Sequence, residues 1–357
     1  MKNQINILTV TGIRPDFIRM SQVFKRLDSD PDINHILIHT GQHYDNLLSD
    51  VFFKDLNIRT PDYNLNIGID SNNHYEQQGL LGTNLINLIN NNNLEPDLIL
   101  FLGDSNSVLA SIPLKKEGYA IGHIEAGMRS YDERMLEEIN RKACDHVSNL
   151  LFVYHEDYKN NVLKENISLD KIHVVGNTII EPLREIADLN YTGNKEHILL
   201  DIHRPENFKY EERLKSIIDY GNYCNKNTNT PVKLLQFNRT LSYIEKFNIN
   251  LGNIELIPLM GYKDFIKFMQ DSLFIISDSG TAQEEPGILG VPVIVPRDFT
   301  ERPQSVSYNC SYMLPVEDKN EWEKSIDWLN SKPTLNIDWL GDGNTSHTIL
   351  NIIKQKI

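Results

Sequence analysis

Residues 121–141 read Ile-Gly-His-Ile-Glu-Ala-Gly-Met-Arg-Ser and then Tyr-Asp-Glu-Arg-Met-Leu-Glu-Glu-Ile-Asn-Arg. An apolar run ends in a glycine-containing turn, and two adjacent glutamates then begin a predicted helix that leads to Arg141. This order of strand, turn and helix is the unit from which parallel α/β sheets are built. The turn places carboxylates beside guanidinium groups, and such a mixture suits a site that moves a proton next to a negatively charged leaving group.

The same order of elements repeats along the whole chain in two series. The first series has candidate strands at residues 5–10, 35–39, 98–102, 120–124 and 151–154, and the second has them at residues 198–202, 232–235, 254–257, 274–277 and 291–295. Residues 15–27 and 75–88 have the apolar spacing of amphipathic helices. We therefore predict an α/β fold with two doubly wound parallel-sheet domains and a cleft between them. The alternation restarts after Gly176 and Asn177, which predicts a boundary there.

The bulk properties exclude several classes of protein. A length of 357 residues suits two domains, and a hydrophobic share of 40% with a charged share of 24% is typical of globular proteins. The net charge of −14 argues against binding to nucleic acid or to an anionic membrane. The sequence has no run of about 20 apolar residues and no signal-peptide core, and its three cysteines lack metal-ligand spacing. We therefore expect reduced cysteines and a cytoplasmic protein.

Polar clusters follow the predicted strands of the first series, where parallel sheets bind ligands. Arg14 follows the first strand and either attracts phosphate at a helix N-terminus or pairs with a nearby acid. His43 follows the second strand, and we assign it a secondary role. Asp104 ends a strongly apolar strand, and it either caps the next helix or serves as an acid–base group. The residues alone leave those two alternatives for Asp104 equal.

Glutamates supply further acid–base candidates. Glu125 stands where a strand side chain would normally be apolar, which favours a functional role. Glu137 and Glu138 are adjacent on a predicted helix, so only one of them can point to a site. The alternative is a pair of solvated acids that the helix dipole stabilises.

The second series has its own loop clusters. His203 follows a strand and could donate to a diphosphate or relay a proton. Ser279 and Gly280 lie in a small-residue turn that is predicted to open a helix and form a phosphate nest, and Glu285 follows one turn later, in reach of a ribose. Arg302 adds a positive charge after the next strand. The chain has neither a Walker A lysine pattern nor a G-x-G-x-x-G sequence, so neither an NTPase nor a dinucleotide site is supported.

The order and spacing of these clusters resemble the non-hydrolysing UDP-N-acetylglucosamine 2-epimerases over essentially the whole chain. The motifs that carry the resemblance are Gly12-Ile-Arg-Pro-Asp, Thr40-Gly-Gln-His, Gly103-Asp104, His123-Ile-Glu-Ala-Gly-Met-Arg129, Glu137-Glu-Ile-Asn-Arg141, Gly176-Asn-Thr178, His203-Arg-Pro-Glu-Asn207, Asp278-Ser-Gly280, Gln283-Glu-Glu285, Thr300-Glu-Arg-Pro303 and Gly341-Asp-Gly343. The resemblance implies the GT-B fold of two Rossmann-like domains. It predicts an N-terminal domain of residues 1–177, joined by a C-terminal helix of residues 345–357, and a UDP-binding domain of residues 178–344.

The resemblance also implies a reaction and the residues that perform it. The family eliminates UDP while removing the C2 proton, which gives a 2-acetamidoglycal, and then re-adds UDP after protonation on the other face. It uses no cofactor and no metal, and it implies a homodimer as well as a UDP-N-acetylhexosamine substrate. The implied catalytic residues are Asp104, Glu125, Glu137 and His203, and the implied substrate-binding residues are Arg14, Arg19, His43, Arg129, Arg141, Ser279, Gly280, Glu285 and Arg302.

The chain departs from the family pattern in its first motif. The usual Gly-Thr-Arg-Pro-Glu-x-x-Lys is here Gly-Ile-Arg-Pro-Asp-Phe-Ile-Arg, with Arg19 at the lysine position. This form is more similar to the branch that acts on UDP-6-deoxy-L-hexosamines, so a UDP-N-acetyl-L-rhamnosamine type of substrate is placed slightly ahead of UDP-N-acetylglucosamine. The rival predictions are a GT-B glycosyltransferase, a hydrolysing epimerase and a non-enzymatic nucleotide-sugar sensor.

Overall fold

A computed structural model of the protein describes residues 4–41, 50–70, 73–191 and 193–357. The chain divides into two compact units. The first consists of Met1–Pro182 and Leu340–Ile357, and the second of Leu183–Trp339. The sequence motifs predicted boundaries at residues 177/178 and 344/345, whereas the two units meet at residues 182/183 and 339/340.

The first unit contains, among the described residues, a parallel sheet of seven strands in the order β3-β2-β1-β4-β5-β6-β7. The strands are β1 (Ile5–Thr11), β2 (Ile33–His39), β3 (Tyr63–Asn64), β4 (Leu98–Leu102), β5 (Ile121–Ala126), β6 (Leu150–Val153) and β7 (Ile172–Val174). The helices are α1 (Arg14–Ser29), α2 (Asp50–Asp55), α3 (Ile67–Asp70), α4 (His74–Asn91), α5 (Ser111–Lys116), α6 (Glu137–Val147), α7 (Glu156–Lys164), α8 (Ile180–Ile186, which crosses the unit boundary) and α16 (Thr345–Lys356). Short 3-10 turns lie at Asn106–Ala110 and Leu169–Lys171.

The second unit has, in its described part, a parallel sheet of six strands in the order β10-β9-β8-β11-β12-β13. The strands are β8 (His197–Asp201), β9 (Val232–Leu235), β10 (Glu255–Ile257), β11 (Ser272–Ser277), β12 (Val293–Val295) and β13 (Ser311–Met313). The helices are α9 (Pro205–Phe208), α10 (Glu211–Thr228), α11 (Asn238–Lys246), α12 (Tyr262–Gln270), α13 (Glu285–Ile288), α14 (Pro303–Ser307) and α15 (Lys319–Asn330). Further 3-10 turns lie at Thr281–Gln283 and, at the return to the first unit, Asp338–Leu340.

Side-chain patterns explain why these segments take these forms. All five residues of β4 (Leu-Ile-Leu-Phe-Leu) are buried, as expected of a central strand that helices cover on both faces. In α1 the buried residues Phe17, Met20, Phe24 and Leu27 recur at intervals of three and four, which places them on one face of the helix. Each unit has its own apolar core, so each sheet is packed independently.

The order of the strands fixes where ligands can bind. In both sheets the winding reverses, between β1 and β4 in the first and between β8 and β11 in the second. Helices leave to opposite faces on the two sides of such a reversal, and a crevice opens at the carboxyl ends of the two strands. In the first unit these ends lead into Gly12 and Asp104, and in the second into His203 and Asp278. No helix in the described ranges has the length and apolar content needed to cross a membrane.

Candidate active site

Close contact explains the glycine that follows β1. A Cβ atom built on Gly12 would lie 2.0 Å from Oγ of Ser107 and 3.0 Å from Oγ1 of Thr40, which are buried side chains of neighbouring segments. Gly12 is not among the residues with a positive φ. Steric contact, and not backbone freedom, therefore requires glycine here. Arg14 is the first residue of α1 and is half-buried, so it lies at the helix N-terminus that the sequence predicted.

Asp16 is a buried acid that we did not include among the sequence candidates. Its carboxylate accepts a hydrogen bond from Oγ of Ser105 at 3.3 Å, and Oδ1 lies 3.5 Å from where a Cβ of Gly103 would be. Burial, with the negative charge of Asp104, raises the pKa of Asp16 to about 7, although Arg19 opposes the shift. An acid in the first turn of a helix is ordinary, so only the fold distinguishes this one from a solvated residue.

Glu125 is buried, as the sequence predicted, and it lies on a distorted part of β5. The pairing of β5 with β6 shifts register between Ile124 and Ala126, and Glu125 has a φ of 70°. A left-handed backbone costs a residue with a side chain roughly 1–2 kcal/mol, and bulges commonly redirect a side chain near an active site. The redirected carboxylate forms an ion pair with Arg19, and both side chains are almost fully buried. A buried, ion-paired carboxylate on a strained backbone is a candidate for function.

Asp104 forms an ion pair with Arg141, and a quarter of its side chain, 24%, remains exposed. The 3-10 turn that follows begins without a side-chain cap. Ser105 occupies the N-cap position of that turn, and the acid–base role of Asp104 stays a prediction. In addition, Nδ2 of Asn140 donates to the backbone carbonyl of Asp104 at 2.8 Å, so two residues of α6 fix this loop.

The two adjacent glutamates of α6 have different environments. Glu138 is fully buried and accepts hydrogen bonds from the backbone N–H of Ser130 (2.9 Å), the hydroxyl of Ser130 (3.0 Å) and Arg141 (3.1 Å). Glu137 is half-buried. As the sequence indicated, the two side chains point in different directions, and Glu138 serves to hold the turn before the helix. Glu137 therefore stays the predicted acid–base residue of this pair.

Arg129 lies in a buried network of charges. Its guanidinium binds Asp145 at 2.7 Å and Glu165 at 2.8 and 2.7 Å. Burial disfavours the charged guanidinium, but the two carboxylates outweigh this effect and raise the pKa of Arg129. Substrate binding by Arg129 stays a prediction, and the contacts shown are those of a structural ion pair. His43 lies outside the described residues.

In the second unit, carboxylates at the switch point hold His203. Nδ1 of His203 lies 3.0 Å from Oδ1 of Asp201, while Asp278 accepts hydrogen bonds from the backbone N–H groups of His203 and Arg204, each at 3.0 Å. Burial disfavours the imidazolium, but the charges of Asp201 and Asp278 outweigh it and raise the pKa of His203. A third of the side chain, 33%, stays exposed, so the residue can act as an accessible cation at the end of β8.

The helix that was predicted to follow the small-residue turn after β11 is interrupted. A 3-10 turn, Thr281–Gln283, and the four-residue helix α13 follow the small-residue turn, in place of the single helix that the sequence indicated. Pro286 explains the break, because it has no N–H for the preceding turn. The hydroxyl groups of Ser279 and Thr281 lie 3.0 Å apart.

Buried charges support this turn. A Cβ atom on Gly280 would lie 2.5 Å from a terminal nitrogen of Arg302, so glycine leaves room for that guanidinium. Arg302 is itself buried and binds Glu284 at 2.8 Å as well as Glu301. Glu285 is buried and accepts a hydrogen bond from the hydroxyl of Tyr262 at 2.6 Å. Tyr262 is a supporting residue that no sequence motif indicated. Among the described residues, no cluster of three or more His, Cys, Asp or Glu side chains could hold a metal ion.

Two doubly wound domains with charged residues at their switch points define an α/β enzyme of the GT-B-like class, as predicted. Residues 25–354 match the family described as UDP-N-acetylglucosamine 2-epimerase. The chain belongs to this family of non-hydrolysing epimerases and is an isomerase.

Individual relatives agree with this assignment over almost their whole length. The chain is 36% identical to the UDP-N-acetylglucosamine 2-epimerase of Methanococcus maripaludis, over 96% of this chain and 97% of that protein. It is 33% identical to the UDP-2,3-diacetamido-2,3-dideoxy-D-glucuronate 2-epimerase of Pseudomonas aeruginosa, over 87% and 88% of the two chains. The crystal structure of Methanocaldococcus jannaschii UDP-GlcNAc 2-epimerase with UDP-GlcNAc and UDP superposes with a TM-score of 0.86, at 32% identity over 98% of this chain and 100% of that chain.

Proposed function

We propose that the protein inverts C2 of a UDP-N-acetylhexosamine by eliminating UDP and adding it back. The observation that carries the proposal is a set of two ion pairs at neighbouring strand ends of the first unit. Arg19 binds Glu125 in an almost fully buried pair, and Arg141 binds the partly exposed Asp104. Each guanidinium lies against a carboxylate, and the pair formed by Arg19 and Glu125 is almost fully shielded from water. An ionised carboxylate with little water around it can act as a general base.

The reaction needs such groups because the C2–H bond is not acidic by itself. As the bond from C1 to the UDP oxygen breaks, its electron pair leaves with UDP and positive charge develops at C1. A carboxylate can then take the C2 proton, and the C2–H electron pair forms the C1=C2 double bond of a 2-acetamidoglycal. Protonation of C2 on the opposite face and attack by the phosphate oxygen at C1 complete the inversion, so atoms and electrons balance without an oxidant or a cofactor.

Residues divide between the two halves of this chemistry. Asp104, Glu125 and Glu137 are the proposed acid–base groups, and Arg14, Arg19, Arg129 and Arg141 the proposed cations of the same unit. In the second unit, His203 supports the departing diphosphate, Ser279, Gly280 and Arg302 bind phosphate, and Glu285 binds the ribose. His43 is assigned a secondary substrate contact.

The identity of the hexosamine is a second question. UDP-N-acetylglucosamine and its C2 epimer, UDP-N-acetylmannosamine, are supported by the names of the relatives in Methanococcus maripaludis and Methanocaldococcus jannaschii. A UDP-6-deoxy-L-N-acetylhexosamine of the rhamnosamine, quinovosamine or fucosamine type is the second candidate. This candidate is favoured by Asp16 and Arg19, which stand where the usual family motif has a glutamate and a lysine. Asp16 lies close to the charge of Asp104, and Arg19 binds Glu125. We further propose a cytoplasmic homodimer that supplies precursors for surface glycans.

The test is incubation with candidate UDP-sugars in deuterated water, followed by NMR. We expect deuterium at C2 of both epimers while UDP remains attached, and the kcat/KM values across the sugars then identify the substrate. Formation of free sugar and UDP would indicate a hydrolysing epimerase. Transfer of the sugar to an acceptor would indicate a glycosyltransferase. No exchange with any UDP-N-acetylhexosamine would refute the proposal.

A variant tests the residue assignment. Glu125→Gln should abolish C2 exchange and leave UDP binding measurable by calorimetry, because glutamine cannot accept the proton. Glu117→Gln replaces an exposed glutamate of the same unit and serves as the control. Full activity of Glu125→Gln would remove Glu125 from the mechanism.

A further inference from the structure

His123 is a fully buried residue of β5 that the reaction proposed above does not use. Its Nδ1 lies 2.7 Å from Oδ1 of Asp145, and its Nε2 lies 2.8 Å from the backbone carbonyl oxygen of Gly103. A carbonyl oxygen only accepts hydrogen bonds, so Nε2 carries a hydrogen. Nδ1 carries one as well, provided that Asp145 is ionised.

The surroundings of Asp145 show that it is ionised. Its second oxygen accepts a hydrogen bond from the backbone N–H of Gly127 at 3.1 Å and binds the guanidinium of Arg129 at 2.7 Å. Burial disfavours the carboxylate, but the hydrogen bonds and charges of His123 and Arg129 outweigh it and lower the pKa of Asp145. For His123, burial is again outweighed, by Cys144 and Asp145, and its pKa is raised well above the ordinary value. The negative charge of Glu165 completes the network by binding Arg129.

The two partners of His123 belong to segments that carry acid–base candidates. Gly103 ends β4 and directly precedes Asp104, while Asp145 lies on α6, one turn after Arg141, which binds the carboxylate of Asp104. Through Gly127, Asp145 also holds the chain just after the strained position of Glu125. The imidazole ring therefore connects the loop that carries Asp104 to α6, the helix whose Arg141 binds the Asp104 carboxylate.

We infer that His123 is a positioning residue that acts as a buried imidazolium bridge and sets the orientation of Asp104 for transfer of the C2 proton. The inference rests on the proposed function, because only an acid–base role makes the orientation of Asp104 kinetically important. A misplaced catalytic group lowers the rate of the chemical step more than it lowers affinity for the substrate, since most binding contacts lie elsewhere. The bridge therefore predicts an effect on kcat and little effect on KM.

Two substitutions separate the contacts of the ring. Asparagine places its amide close to the position of Nδ1, so His123→Asn retains donation to Asp145 and loses the bond to Gly103. Glutamine reaches further, to the position of Nε2, so His123→Gln retains the bond to Gly103. Both variants remove the same charge and the same aromatic ring, which makes them matched controls for loss of stability.

The experiment measures kcat and KM by C2 exchange, together with the thermal midpoint of unfolding, for the full chain. We expect His123→Asn to lower kcat on the order of 100-fold, with KM changed less than about threefold. We expect His123→Gln to lower kcat only on the order of tenfold, because it retains the bond to Gly103. Wild-type kcat in a folded His123→Asn protein would overturn the inference. Equal losses of kcat in both variants would also overturn it, because such losses would reflect reduced stability and not a changed orientation of Asp104.

An independent measurement separates this inference from the proposed function. In protein labelled with 15N-histidine, both ring nitrogens of His123 should keep the chemical shifts of an imidazolium at pH values where an ordinary histidine is neutral, and these signals should be absent from His123→Gln. If the wild-type chain exchanges no deuterium with any UDP-sugar while the imidazolium signals are present, the proposed function fails and the positioning role fails with it. If the wild-type chain is active but its signals are those of neutral imidazole, the inference alone is refuted.

Discussion

Replacing Asp16 with asparagine should stabilise the protein, and the gain should increase with pH. The carboxyl group of Asp16 has a pKa of about 7 in the folded chain, against an ordinary value of 3.8, because burial and the charge of Asp104 disfavour ionisation. Between these two pH values the folded state holds a proton that the unfolded state has released. Stability therefore decreases as the pH rises through this window, since the unfolded chain binds fewer protons. An asparagine has no charge to bury and avoids the penalty.

The size of the effect follows from the shift. Each pKa unit corresponds to about 1.4 kcal/mol, so the penalty that Asp16 imposes grows from roughly 1.5 kcal/mol at pH 5 to about 4 kcal/mol at pH 8. Asparagine can still accept the hydrogen bond of the Ser105 hydroxyl, which the aspartate accepts at 3.3 Å, so little is lost in exchange. The difference between pH 5 and pH 8, about 2.5 kcal/mol, is well above the error of a denaturant titration.

The assay is unfolding by urea at pH 5, 6, 7 and 8, followed by a probe in the first unit, for the wild type and for Asp16→Asn. Asp28→Asn is a control of opposite sign. Burial raises the pKa of Asp28, but the hydrogen bonds and charges of His35 and Arg59 outweigh it and lower the pKa. Asp28 therefore stabilises the chain above its unfolded pKa, and that stability is lost as the pH falls. An Asp16→Asn effect that is constant from pH 5 to pH 8, or that decreases, would refute the argument.

Three further changes have expected outcomes. Gly12→Ala should destabilise the chain by roughly 1–3 kcal/mol in thermal unfolding, because its Cβ would meet Oγ of Ser107 at 2.0 Å; Ser107→Ala in the same chain should restore part of the loss, and no restoration would mean that the contact is not the cause. Tyr262→Phe removes the donor that lies 2.6 Å from Glu285 and should raise the Kd for UDP about tenfold in calorimetry, since a buried carboxylate loses a partner; an unchanged Kd would contradict the ribose assignment. Lys354→Ala should lower stability only slightly at low salt and not at all at high salt, because its ion pairs are at the surface; a loss that persists in 1 M NaCl would show that packing is responsible.

The sequence predicted the interior strands of both sheets and the edge strand β10, and it missed the other three edge strands of the described sheets. The predictions for β4 and β9 match the observed bounds, because a strand covered on both faces is a continuous apolar run. The strands β3, β7 and β13 were not predicted. Each has only two or three residues and lies at the edge of its sheet. Such a strand is defined by its pairing with one neighbouring strand, and its sequence has no strong apolar pattern.

The candidate site shows a similar limit. Residue type and position indicated a functional role for Glu125 and made Asp104 a candidate, and the resemblance added substrate binding by Arg141. Neither could show that Arg19 binds Glu125, that Glu138 is occupied by Ser130, or that Asp16 is an acid with an unusual pKa. These facts depend on contacts between segments that are far apart in the chain, and on desolvation, which local sequence does not encode.

The helix α16 packs on α1 and buries Ile349, Leu350 and Ile353, although the whole second unit separates the two helices in the chain. During synthesis, the first unit therefore emerges without one of its own helices and keeps an apolar surface open. The second unit is continuous and can fold as soon as its residues have left the ribosome. The order of completion is thus the reverse of the order of synthesis, and termination between Trp339 and Thr345 leaves the first unit unfinished while the second is intact.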